Sequence, residues 1–300
     1  MITIFLADGL GNQMFQYAFA RALQLQTKRE IQFSLVAFDK DLAKRSYGLH
    51  NFNADEKINL LPDNEGKKLF LKHKILNKLR LLKGHDLSKK YIGKHIINAY
   101  TKDVFLYETI DYKNLAKKVT VFGQFQNPEF FKNYEDVISK ELKVKTEPSV
   151  ENQKMLENIE KNNSVCVHIR RGDYLNPEWS YLNICNYDYY KKAMERVKEK
   201  VENPVFYIFS NTPEDIAWIK EHYDFSEYNI EYVDLNNPDY EELRLMYSCK
   251  HFIISNSTFS WWAQYLGEYE NKVVVAPSEW NREVDDCSGI YMSGWEIVEV

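Results

Sequence analysis

The sequence predicts an α/β protein built on parallel sheets. Three observations carry that expectation. Short runs are apolar at nearly every position, segments of helical period stand between them, and a glycine turn joins the first run to the first helix. Strands apolar on both faces must be covered on both faces, and parallel neighbours need a crossover between them, usually a helix.

Residues 2–7 form the first apolar run. Gly9 and Gly11 make the turn, and 12–28 carry Phe15, Ala18, Phe19, Ala22 and Leu23 at helical spacing. A second strand begins at Ile31. Residues 119–122 give another, followed by Gly123 and a loop rich in Gln and Asn. From about residue 160 the alternation resumes. Strands are expected at 165–169, 205–209, 230–235, 251–255 and 272–276, with helices at 187–201, 214–223, 240–248 and 259–269. That order is the pattern of a doubly wound parallel sheet. The polar segment 142–164, with Pro148 and the pair Asn162 and Asn163, reads as a hinge between domains 1–150 and 151–300.

Composition narrows the class. Apolar residues make up 44% of 300 positions and aromatic ones 15%, enough for a sizeable core with Tyr hydroxyls at its edges. A net charge of −5 argues against coating nucleic acid. Cys166, Cys185, Cys249 and Cys287 show no paired or metal-ligand spacing, which suits reduced thiols in a cytoplasmic protein. No basic leader precedes the first run and no apolar stretch reaches spanning length, so secretion and membrane crossing are not expected. A single D-x-D, at Asp39-Lys40-Asp41, lacks a neighbouring His or Glu and reads as chance; no metal is expected.

Residues 67–94 hold ten Lys or Arg against one acid, Asp86, interleaved with Leu69, Phe70, Ile75, Leu76, Leu79 and Leu82. The plainer reading is a helical insertion with its apolar face on the core and its lysines in water. The alternative is a basic amphipathic helix in peripheral contact with an anionic membrane. Nucleic-acid binding through this stretch is opposed by the acidity elsewhere.

Three segments carry chemistry. Asp8-Gly9-Leu10-Gly11-Asn12-Gln13 ends a strand and opens a helix, where glycines admit a ligand to the backbone and helix-start N–H groups favour anions. A tight turn explains it as well, and Met14 stands where a dinucleotide fingerprint has its third glycine. His168-Ile169-Arg170-Arg171-Gly172-Asp173-Tyr174 places cations at the C-terminal end of a parallel strand, the edge where open α/β sheets bind ligands. Guanidinium groups there call for an anion, and they suit a pyrophosphate. An Arg171–Asp173 salt bridge would stabilise the turn without any ligand, and both uses are compatible. Ser255-Asn256-Ser257-Thr258-Phe259-Ser260 opens a helix with more hydroxyl and amide groups than one cap needs, a ready phosphate site. Trp261 and Trp262 behind it read as core anchors.

Together these segments resemble the bacterial α-1,2-fucosyltransferase family, glycosyltransferase family 11. Residues 9–18 look like its opening motif. Residues 168–174 look like its His-x-Arg-Arg-x-Asp motif, and 255–266 like its Ser/Thr-rich motif ending in two Trp. Gly123-Gln124-Phe125-Gln126 with Phe130 and Phe131, and Phe209-Ser210-Asn211, match weaker segments in the same order. The resemblance implies a GT-B fold, two Rossmann-like domains facing across a cleft. It implies an inverting, metal-independent transferase without a cofactor, using GDP-β-L-fucose as donor. The implied acceptor is a terminal galactose on an oligosaccharide or a lipid-linked glycan. Gly commonly stands in the family where this chain has Asp8, Tyr-Trp where it has Gln124 and Phe125, and often Asp where it has Asn211. Those departures bear on acceptor choice.

By the same resemblance, Arg170 holds the pyrophosphate and Asn12 faces the reacting centre. The donor-side set is Gly9, Gly11, Gln13, His168, Arg171, Asp173, Glu242, Ser255, Asn256, Ser257, Thr258, Phe259 and Ser260. Apart from the resemblance, an acid that accepts two guanine N–H groups would tell guanine from adenine, and Glu242, on the helix leading into the serine motif, is the candidate, with an ordinary exposed helix acid as the alternative. Asp8 and Glu178 are equal candidates for the base that takes the acceptor proton. A non-catalytic nucleotide- or carbohydrate-binding protein of the same fold is the competing function.

Overall fold

The computed structural model describes residues 1–40, 45–87, 89–99 and 102–300. The chain divides into two compact units. The first is Met1–Leu142 with Val284–Ile290, and the second is Lys143–Glu283 with Tyr291–Val300.

In the first unit the initial apolar run becomes strand β1, Ile2–Phe5, buried at all four positions. Helix α1, Leu10–Thr27, follows and β2 is Ile31–Ser34. Helix α2 spans Asp63–Leu82, β3 is Tyr91–Ile92, β4 is Ile96–Ala99, β5 is Val119–Gly123 and α3 is Glu135–Glu141. The sheet runs β2-β1-β5-β4-β3, parallel except for the short edge pair β3–β4. From β1 the chain moves outward to β2, then returns to fill the other side. The order therefore reverses between β1 and β5.

The basic stretch departs from the plainer expectation. Helix α2 stops at Leu82, and part of the remainder forms strands. Its inner side packs Leu69 and Phe70 on Phe5, Val36 and Phe122. Leu71, Ile75, Leu79 and Leu82 are exposed, so this helix does not lay all its apolar side chains on the core. Asp39 pairs with Lys67 at 3.3 Å, while Asp41 lies outside the described residues.

The second unit begins with helix α4, Val150–Lys161, where the polar segment had suggested a hinge. Ser149 caps it by accepting from the Asn152 N–H, and Ile159 is its one buried apolar side chain. Such a helix needs few apolar positions, which is why its sequence looks like a linker. Then come β6 (Asn163–His168), α5 (Tyr187–Lys198), β7 (Pro204–Phe209) and α6 (Pro213–His222). These are followed by β8 (Ile230–Tyr232), α7 (Asp239–Tyr247), β9 (His251–Ile253), α8 (Thr258–Leu266), β10 (Val274–Pro277) and β11 (Glu296–Val298). All six strands are parallel in the order β11-β10-β9-β6-β7-β8. Here the order reverses between β6 and β9. Val165 and Val167 of β6 pack with Tyr189, Met194 and Ile208 into a core from which the Tyr189 and Tyr190 hydroxyls donate to the carbonyls of Ile254 and His168. Each unit is Rossmann-like, as a GT-B fold requires of its two halves.

Candidate functional site

In open α/β sheets ligands bind beyond the carboxyl ends of the strands, where the strand order reverses. Each unit puts its chemistry-bearing residues at that place.

In the second unit β6 ends at His168, which is 2% exposed, and the loop after β9 carries Ser255, fully buried. His168 Nδ1 lies 3.0 Å from Ser255 Oγ, and Ser255 Oγ lies 3.3 Å from Ser260 Oγ. Ser260 also donates to the carbonyls of Ser255 and Ser257, both at 3.1 Å. A buried polar chain thus joins the tip of one strand to the first turn of α8. Burial, helped by the nearby Arg170 charge, pushes the His168 pKa down to about 3, so the ring is neutral.

Arg170 follows at the rim. It bonds Asp173 Oδ1 at 2.6 Å and lies over the Tyr174 ring at 5.1 Å, and its buried Nε has no hydrogen-bond partner among the described residues. The Tyr174 hydroxyl donates to the Asn256 carbonyl at 3.1 Å, tying the arginine loop to the serine loop a second time. Arg171 turns elsewhere. Its Nε bonds Asp215 at 3.1 Å and its guanidinium stacks on Trp218 at 3.3 Å. Gly172, at φ +50, turns the chain just after the two arginines, so that Asp173 beyond the turn pairs back with Arg170 while Arg171 takes Asp215. Asn211 accepts the Arg171 backbone N–H at 3.0 Å and fills the space beside Gly172.

The helix start is capped by Ser257, whose Oγ accepts the Phe259 N–H at 3.3 Å. Thr258 and Phe259 are half-buried, with the Phe259 ring 5.9 Å from that of His168. Asn256 serves the scaffold: its amide donates to the carbonyls of Leu182 and Trp280. Trp261 and Trp262 are fully buried and pack on Tyr265. On α7, burial pushes the Glu242 carboxyl up to about 8, offset in part by a hydrogen bond from Asn237. Its neighbour Glu241 is structural, pairing with Arg244 at 3.2 Å and receiving the Asn152 amide. Glu178 is exposed on a 3-10 turn, Pro177–Leu182.

In the first unit the turn after β1 puts its unusual backbone on Asp8, at φ 67, whereas Gly9 is extended at φ −69. Among the described residues, a side chain at Gly9 would meet only Arg45, 3.9 Å away. Gln13 holds the turn: its amide donates to the carbonyls of Asp8 and Ser46, and its oxygen accepts the Gly48 N–H, each at 2.9 Å. Gly11 is buried in the first turn of α1. Across the order reversal, the loop after β5 delivers two residues of one of the weaker segments. Gln124 Nε2 donates to Asp8 Oδ2 at 2.8 Å, and Gln126 Nε2 donates to Asn12 Oδ1 at 2.9 Å and to Gln124 Oε1 at 3.1 Å. Phe125 between them has φ 50 and stacks on Phe19 at 3.8 Å. Two non-glycine residues in the left-handed region, at adjacent strand ends, are a concentration of strain of the kind found at functional sites.

Comparisons agree with this architecture. Residues 1–299 match the sequence profile of glycosyl transferase family 11. An Escherichia coli alpha-1,2-colitosyltransferase is 28% identical over 288 residues, covering 92% of this chain and 90% of that one. The human galactoside alpha-(1,2)-fucosyltransferase 1 is 33% identical over 107 residues, 34% of this chain and 28% of its own. Among solved structures, the NodZ alpha-1,6-fucosyltransferase co-crystallized with GDP superposes with a TM-score of 0.50 at 11% identity, over 88% of this chain and 91% of the other.

Proposed function

This chain belongs to glycosyltransferase family 11, and from that premise we propose that it moves L-fucose from GDP-β-L-fucose to the 2-hydroxyl of a terminal β-galactoside, with inversion. The observation that carries the donor half is the buried chain His168–Ser255–Ser260, which fixes the arginine-bearing strand end against the start of α8. Arg170 supplies a cation already oriented by Asp173, and the first N–H groups of a helix are donors without intrahelical partners. A diphosphate suits both. The relatives support fucosyl or colitosyl transfer with α-1,2 linkage, and galactoside acceptors are named in the human relative.

In the proposed step the acceptor oxygen forms its bond to the sugar carbon while the bond to GDP breaks on the opposite face. Negative charge then grows on the departing diphosphate, where Arg170 and the α8 N–H groups offset it. The acceptor proton goes to a carboxylate. We assign that role to Asp8, which Gln124 orients by a direct hydrogen bond, rather than to the exposed Glu178. Asn12, held by Gln126, is assigned to positioning at the reacting centre. Glu242 would have to be ionised to accept both guanine N–H groups, so the base reading predicts tighter GDP binding as pH rises towards 8.

A thermal-shift screen with GDP, UDP, ADP and CMP tests the donor class, because a ligand at 100 times its Kd stabilises by about 2.7 kcal/mol. GDP alone should shift the transition, and Arg170→Ala should lose most of that shift. A shift with UDP and none with GDP defeats the assignment. Incubation with GDP-fucose or a colitosyl donor plus lactose then identifies the sugar, and absence of both product and donor hydrolysis would favour a non-catalytic binder.

A further inference from the structure

Helix α2 carries a second apolar stripe, on the side away from the sheet. Leu71, Ile75, Leu79 and Leu82 stand 59, 52, 50 and 74% exposed. At helical spacing these four share one arc roughly opposite Gly66, the buried position of the helix. The exposed Lys67, Lys74 and Lys78 border that arc on one side and Lys72 on the other, with Lys68 leading into it. The inner side is separately anchored. Phe70 packs on Phe5 and Phe122, His73 stacks on Phe122 at 3.7 Å, and Arg80 lies over Tyr91 at 3.9 Å. The outward stripe is therefore not the core face of the helix.

We propose that this face of α2 seats the protein on an anionic lipid surface. The leucines and Ile75 enter the headgroup boundary, and the flanking lysines meet lipid phosphates. Charge selects the occupant. Ten cations against one acid over 67–94, in a chain whose net charge is −5, direct this one region and not the rest toward an anionic surface. A second copy docked on the same stripe would bring these lysine borders against one another, which opposes self-association. Among the described residues no helix is long and apolar enough to cross a membrane, and the proposed contact is one along the lipid surface. The inference rests on this surface alone and holds whichever sugar is transferred.

The test is co-sedimentation of the full chain with vesicles of phosphatidylcholine, with and without roughly 30% phosphatidylglycerol. Binding should require the anionic lipid and fall at least about tenfold between roughly 0.1 M and 0.5 M salt. A combined Leu71→Ser, Ile75→Ser and Leu79→Ser variant should lower binding about tenfold or more, as should Lys72→Glu with Lys74→Glu and Lys78→Glu. Both variants should keep the parental melting temperature, since the altered side chains face water. Equal binding to neutral vesicles, no binding, or binding indifferent to both variants overturns the proposal. So does early melting of the serine variant, which would mean the stripe is packed, or a wild-type dimer in sedimentation equilibrium that the serine variant dissociates.

Discussion

Asp8→Gly separates backbone from chemistry at one residue. Asp8 holds φ 67, a region that costs an L-residue roughly 1–2 kcal/mol and glycine almost nothing. The change removes that strain and also the hydrogen bond from Gln124, worth about 1 kcal/mol at a half-buried position. Glycine adds roughly 0.4–1 kcal/mol of unfolded-state entropy. These contributions nearly cancel, so urea unfolding should differ from wild type by no more than about 1 kcal/mol. Transfer is another matter. Loss of a general base costs about 10²–10⁴ in rate, or roughly 2.7–5.5 kcal/mol of barrier. Initial rates with GDP-fucose and lactose should therefore collapse while the GDP thermal shift stays at its wild-type size. Glu178→Gln, at an exposed turn, should change the rate less than about threefold. A fully active Asp8→Gly enzyme would refute the assignment of the base. A dead Glu178→Gln enzyme beside it would transfer the role to Glu178.

Two further predictions follow from buried titratable groups. Native Glu242 keeps its proton up to about pH 8, whereas the unfolded chain releases it near the ordinary value of 4.5, so its contribution is whole below about 4.5 and lost as pH rises towards 8. Glu242→Gln should gain on wild type by about 1.4 kcal/mol per pH unit across that window, and urea midpoints that move in parallel between about pH 5 and 7.5 would contradict it. His168 has the opposite sign: the unfolded ring protonates below about 6.5 and the native ring only near 3, so stability falls as pH drops between those values. His168→Asn, whose amide can keep the bond to Ser255, should flatten that decline by about 1.4 kcal/mol per pH unit, and an unchanged slope would show that His168 is not held neutral.

What the sequence made legible depends on whether a signal is local. The inner strands of the second unit announced themselves because each buried position is apolar, as in Val165, Cys166 and Val167 or Phe206, Tyr207 and Ile208. Two of the edge strands did not. Tyr91–Ile92 and Glu296–Val298 face water on one side and carry no continuous apolar run. Helix α4 passed for a linker because it lays little more than Ile159 on its neighbours. Helix α2 shows a different limit. Periodicity says which residues share a face, and here two faces are apolar, so the pattern alone did not tell which one meets the core.

The candidate site divides along the same line. Arginines at a strand tip and serines at a helix start are recognisable in place, because backbone geometry gives each a local meaning. Gln124 and Gln126 gained theirs only from partners 116 and 114 positions earlier, and His168 meets Ser255 across 87. Strand order makes those meetings. In each unit the chain leaves its first strand in one direction and returns on the other side, so two loops distant in sequence open side by side at the reversal. A side-chain amide carries no motif of its own. Its function is set by which carboxylate the sheet brings opposite, so Gln124 takes its meaning from β5 lying beside β1.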